Sequence, residues 1–312
     1  MNKSDDTGPE GATGPQTLDA RAFVLRDASG RVGAKLDMGP SGPRLMLYDA
    51  GGEPRAVLAA TADGAILDLC AASSKPRVGL AVRDNGAALD LLDATGKLRA
   101  ALHAANDEPV MALFDDGGKT RVQLALRSDG PELALFDASG KPRTAIVVAN
   151  DASGFTLRDA AGNPRATLGV TDEGAAFTLR NTGGKTCAFL SVTDDKPALR
   201  ISDPNGKSSA GLTVTDDVST LTVDDASGKT RASLGVTDAG AALHLYDAGG
   251  EPRAWLLVTD EGQGLELRGP AGPAIIIETP GLKNPPTGRK PKRAAASIHL
   301  FDHKGAVIWS AP

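Results

Sequence analysis

Aromatic side chains make up only 4% of the 312 residues. That is too few for the thick core of a large globular enzyme, where aromatics supply much of the buried area. Cysteine is nearly absent: Cys70 and Cys187 stand alone, with no CxxC pair. This excludes a disulfide scaffold and a zinc module, and both are expected as unpaired thiols at repeat positions. No run approaches the ~18 apolar residues of a membrane span, and the opening MNKSDDTGPEGATGPQ lacks the apolar stretch of a secretion signal. No charge of one sign dominates. Thirty-four basic and 39 acidic residues leave a net charge of −5, with no pull toward nucleic acid or an anionic membrane.

What is abundant is glycine, 37 residues, and proline, 20 residues, the punctuation of many turns. One phrase also recurs: LYDAGGEPRAVL at 47–58, LFDASGKPRTAI at 135–146 and LYDAGGEPRAWL at 245–256. Aligned on the Asp of that phrase, the register positions are Asp27, Asp49, Ala71, Asp93, Asp115, Asp137, Asp159, Asn181, Asp203, Asp225, Asp247 and Gly269, each 22 residues after the last. Loop lengths normally drift because surface insertions cost little. Twelve copies without one insertion mean that each unit stacks on its neighbours in a single register.

Four and two residues before the register position every copy is apolar, as in Leu45 and Leu47 or Leu243 and Leu245, with variable residues such as Met46 and His244 between. This alternation predicts a half-buried strand. A turn follows, with Gly or Ser always three residues on (Gly52, Ser74, Gly96). A second alternating strand comes next (Ala166, Leu168, Val170), and a second turn such as TDEG at 171–174 closes the unit. The expected fold is all-β: an elongated antiparallel β-meander of twelve 22-residue hairpins. About 24 strands at ~4.8 Å spacing would run ~115 Å. Hairpin pairing should set Leu47 opposite Ala56 and Leu45 opposite Leu58. On the other face it should set Tyr48 opposite Arg55, Phe114 opposite Arg121, Phe136 opposite Arg143 and Tyr246 opposite Arg253, with Arg158 awkwardly opposite Arg165.

Such a ribbon has one long apolar face that cannot stand bare in water. Chains can pack these faces together in a trimeric β-prism, which is the expected arrangement, or one chain can curl into a two-sided β-solenoid. A propeller would need four strands per blade and hence a 44-residue super-period. None exists, since Arg55, Arg77, Arg99, Arg121, Arg143 and Arg165 recur in consecutive repeats without skipping. Residues 8–16 read GPE-GAT-GPQ, three Gly-X-Y triplets, and a collagen helix requires three chains. The expected division is therefore a disordered or collagen-like segment at 1–19, the array at 20–280, a linker at 281–296 and a capping hairpin at 297–312. The linker carries Pro285, Pro286 and Pro291 among Lys283, Arg289, Lys290, Lys292 and Arg293. Without interleaved aromatics this charge run reads as solvated and not as a phosphate-binding patch.

The sequence offers no catalytic, cofactor-binding or metal-binding residues. GKT at 118–120, 184–186 and 228–230 is the repeat's own turn, because Leu113, Leu179 and Val223 stand where a phosphate-binding loop needs its first Gly. His299 and His303 flank Asp302 on a strand and its turn, where they do not converge on a metal. The clusters of type DDGGK (115–119) lack the DxDxDG-and-Glu pattern of a calcium loop. An enzyme is not expected.

ARAFVLRDASGRVGAKL at 20–36, the LYDAGGEPRAVL repeats and the final GAVIWSAP resemble a family of uncharacterised bacterial 22-residue β-repeat proteins, over nearly the whole chain from about residue 20. That resemblance brings no activity. Many of its members carry an N-terminal membrane segment where this chain has Gly-X-Y triplets. The YDxxG turn is also similar to the YD repeats of Rhs proteins, though the strict 22-residue period differs. The expected role is that of a structural protein: the shaft of a fibre or of a cell-surface or appendage assembly, held by self-association as a homotrimer. Its partners would be further copies and a larger fibre, with neither nucleic acid nor a membrane span, and no cofactors. The alternative is a carbohydrate- or surface-binding adhesin module using the repeated outer face, expected to be formed by variable positions such as Met46, Asp68, Asp90, Ala112, Arg200 and His244.

Overall fold

The computed structural model describes residues 19–105, 108–269, 272–279 and 296–311. The Gly-X-Y triplets at 8–16 and the basic cluster at 283–293 lie outside these residues. Among the described residues the only helical element is one 3-10 turn (Ala72–Ser74), and everything else regular is β-strand. None of these residues forms a helix long and apolar enough to cross a membrane. The chain divides into two compact units, Met1–Lys119 and Thr120–Pro312. The first holds nine strands, from Ala22–Arg26 to Glu108–Phe114. The second holds seventeen, from Thr120–Arg127 to Val307–Ala311. In each, strands pair antiparallel with their neighbours in sequence, without a crossover.

Two turns alternate along the array, and each has its own chemistry. At the register turn the amide of Gly52 donates to the Asp49 carbonyl (3.0 Å) and that of Asp49 to the Glu53 carbonyl (3.0 Å). The Asp49 carboxylate Oδ1 accepts from the amides of Gly51 (2.8 Å) and Glu53 (3.0 Å). Gly52 sits at φ +80, in the left-handed region. This is a tight turn closed by a glycine bulge, and it repeats at 93–97, 115–119, 137–141 and 247–251. The three GKT sequences fall on it, with Gly118, Gly184 and Gly228 at φ +78 to +79. At the second turn two residues suffice: Thr61 pairs with Gly64, and the Thr61 hydroxyl donates to the Gly64 carbonyl (3.1 Å). Gly64 has φ +134, and a Cβ there would lie 1.9 Å from the Val82 carbonyl oxygen of the next strand. One copy replaces this glycine with Lys196. There Asp194 and Asp195 take positive φ themselves, +49 and +61, so the strain moves one step along the chain.

Leu45 pairs with Leu58 and Leu47 with Ala56, the register the alternation predicts. Three of the four expected aromatic–Arg pairs do not form. The bulge consumes one residue, so Tyr48 faces Pro54, Phe136 faces Pro142 and Tyr246 faces Pro252. Arg158 likewise faces Pro164, which removes the like-charge clash with Arg165. The displaced arginines turn back to the register aspartate. Arg55 lies 2.7 Å from Asp49, Arg253 2.5 Å from Asp247, Arg143 3.4 Å from Asp137 and Arg231 3.6 Å from Asp225.

Candidate functional site

The ladder carries each repeat position into a row running across the strands. One row in the first unit reads Leu45, Leu58, Leu67, Leu80, Leu89, Leu102 and Met111, each directly opposite the next. In the second unit the same row begins Leu124, Leu133, Ile146, Phe155, Leu168, Phe177 and continues to Leu256, Leu265, Ile277 and Ile298. A second row beside it alternates larger and smaller residues: Leu47, Ala56, Leu69, Val78, Leu91, Ala100, Leu113. Next to the leucines of the first unit, Ala65, Val82, Ala87 and Ala104 leave a shallow groove walled by Leu58, Leu67, Leu80, Leu89 and Leu102.

This face is uncovered. Leu58 is 49% exposed and Leu102 46% exposed, and Leu190, Leu234 and Leu256 are exposed as well. The alternate positions, expected to form the solvated outer face, are the better covered ones. Met46, Ala101, Ala112, Ala134 and Ala145 are buried, as are Thr178 and Ser191. Asp68, Asp90 and His244 are half-buried, and of the variable positions named above only Arg200 is exposed. Longer side chains help to cover this row: the Tyr48 hydroxyl meets Met46 Sδ at 3.3 Å, and the His244 and Tyr246 rings stack at 6.1 Å. Near its end Trp255 pairs across the ladder with the buried Glu266. The Arg268 guanidinium bonds Glu266 (2.9 Å) and lies over the Trp255 ring at 5.2 Å.

The register turns carry most of the organised charge. Hydrogen bonds from Thr95 and from the Lys97 amide, together with the charge of the nearby Arg99, hold the Asp93 carboxyl down to about 2. The carboxyls of Asp49 and Asp247 are lowered first by the amides of Glu53 and Glu251, then by Arg55 and Arg253. Each aspartate therefore spends its acceptors on its own turn, and no group of three or more potential metal ligands exists among the described residues. His299 bonds Ser297 (3.1 Å) and leans on Phe301, while His303 lies exposed on its turn. Cys70 and Cys187 are free thiols, and burial pushes Cys70 upward.

Two contacts escaped sequence reasoning. The turn lysine reaches the next repeat's turn: Lys97 Nζ donates to the Asp116 carbonyl (2.7 Å), Lys141 to Ala160 (3.2 Å) and Lys229 to Ala248 (3.1 Å). His103 bonds Asp90 across neighbouring strands (2.8 Å). The lysine tie has a sequence signal, a Lys four residues after the register Asp, but only the stacked turns show what it reaches.

No protein-family model matches the chain, and no curated protein matches it. Among solved structures it is similar to TcdB2-TccC3-Cdc42 (12% identity, TM-score 0.20, 91% of this chain and 19% of that one). It is also similar to TcdB2-TccC3 (11%, TM-score 0.20, 92% and 18%) and to Kluyvelomyces marxianus Hsv2 (9%, TM-score 0.15, 85% and 96%). The chain thus spans about a fifth of the length of the first two. Identity and superposition are both too low to carry an argument. The chain's own strand pairing establishes a repeat protein built as a β-meander.

Proposed function

We propose that this is a structural protein, a β-repeat shaft whose chains associate through their leucine faces as a homotrimeric β-prism within a fibre, cell-surface or appendage assembly. The uncovered leucine face carries the reading. In the second unit, seventeen strands at ~4.8 Å spacing and rows ~7 Å apart make an apolar strip of about 1,000 Å², beyond the ~300–600 Å² that monomers leave bare. It also exceeds the ~800 Å² per partner of a stable interface. Three copies would enclose the strips in a common core, and the Gly-X-Y triplets at 8–16 support that number from the sequence side. The single-chain β-solenoid is the competing arrangement, with the leucine rows closed within one chain. The reading gives the protein no catalytic role. Light scattering tests it. The unaltered chain should have a mass of several chains, and Leu221→Lys with Leu243→Lys should lower it by undoing the lateral association. A one-chain mass for the unaltered protein at every concentration would defeat it.

A further inference from the structure

Beyond this lateral association, we infer that the two terminal strands are complementary edges through which one copy pairs end to end with the next. The first strand, Ala22–Arg26, pairs only with the strand after it among the described residues, and the last, Val307–Ala311, only with the strand before it. Among the described residues each therefore presents an open row of backbone donors and acceptors. Natural edges are usually blunted by charge, proline or a bulge. These read AFVLR and VIWSA, with Arg26 their only charge, and Leu25 is 68% and Ile308 66% exposed.

The array itself supplies the register. Wherever one repeat meets the next, the residue seven after the register position pairs with the one two before the next register: Ala56 with Leu69, Val78 with Leu91, Ala254 with Leu267. The residue nine after it pairs with the one four before: Leu58 with Leu67, Leu256 with Leu265. The last strand follows a turn at Asp302 built like the others. Applied between copies, the rule sets Trp309 against Leu25, Ser310 against Val24 and Ala311 against Phe23. At the nine-after, four-before pair most internal junctions place Leu against Leu, as at Leu58 and Leu67, whereas the two ends offer Ala311 and Phe23, a small residue and a large one that fill similar space. The result is a head-to-tail contact, which propagates and does not close as a twofold dimer would. Its occupant is a second copy of this chain.

The test uses the full chain with Cys70→Ser and Cys187→Ser, to which Val24→Cys and Ser310→Cys are added. Directly opposed residues lie ~4.5–5.5 Å apart at Cα, within disulfide range. Mild oxidation should give a ladder of two, three and more chain lengths on a non-reducing gel. Val24→Glu should abolish concentration-dependent growth while leaving the lateral mass unchanged. Cross-links confined to single chains would overturn the inference, as would equal dimer formation by either single-cysteine protein, or growth that Val24→Glu leaves intact. A ladder built from otherwise single chains would instead count against the lateral association alone.

Discussion

The two faces of the same strands differ in a way that reverses the usual reading of burial. On one face the residue types are nearly uniform, Leu after Leu, and most of the side chains are exposed. On the other they vary from Gly79 to Trp255, and most are buried or half-buried. Within a single chain the second face is the core. Uniformity of the first is intelligible if its environment is supplied by other copies, because a repeated partner surface demands a repeated residue. Variation on the covered face has a physical reason too. A row flanked by Tyr48, Tyr246 and the turn arginines tolerates anything from Gly to Arg, since the flanking side chains adapt.

The largest effect should come from charging one face and then the other. Leu243→Lys should dissociate the assembly, because each leucine fully covered is worth ~1.5–3 kcal/mol and a buried unpaired ammonium costs more. His244→Lys, one residue along and on the opposite face, should leave the mass unchanged in the same light-scattering run. Next in size is the contrast between the two turn glycines. Gly64→Ala should cost ~3 kcal/mol or more in denaturant unfolding, since its Cβ meets a backbone carbonyl as well as an unfavourable φ. Gly52→Ala, with nothing within 4 Å of its Cβ, should cost only the ~1–2 kcal/mol of left-handed backbone.

Acid should act on the register turns. The carboxyls of Asp49, Asp93 and Asp247 are held below the ordinary 3.8, so the stability they contribute is present above that value and is lost as pH falls through the folded value, about 2 for Asp93. The urea midpoint should be flat from pH 7 to 5 and fall between pH 4 and 2, and Asp93→Asn should flatten that fall slightly. Smallest is Lys229→Met, which removes one tie between turns and should lower stability by ~0.5–1 kcal/mol.

The period, the hairpins and the Leu45–Leu58 register were all legible in the sequence, because strand alternation and turn glycines are local signals. Tyr48 against Arg55 was misplaced because Gly52 signals a bulge as well as a turn, and a bulge shifts every partner beyond it by one residue. The covered face was misread because Ala112, Thr178 and Ser191 look like solvent residues until the side chains flanking them are placed. The lysine ties were invisible because they join residues nineteen apart that only the stacked turns bring together.

The most direct test of the central claim, that other copies cover the leucine face, is the mass of the Val24→Glu protein by light scattering after size exclusion, with end-to-end growth disabled. A mass of three chains is the predicted result. A mass of one chain across the accessible concentration range would contradict it.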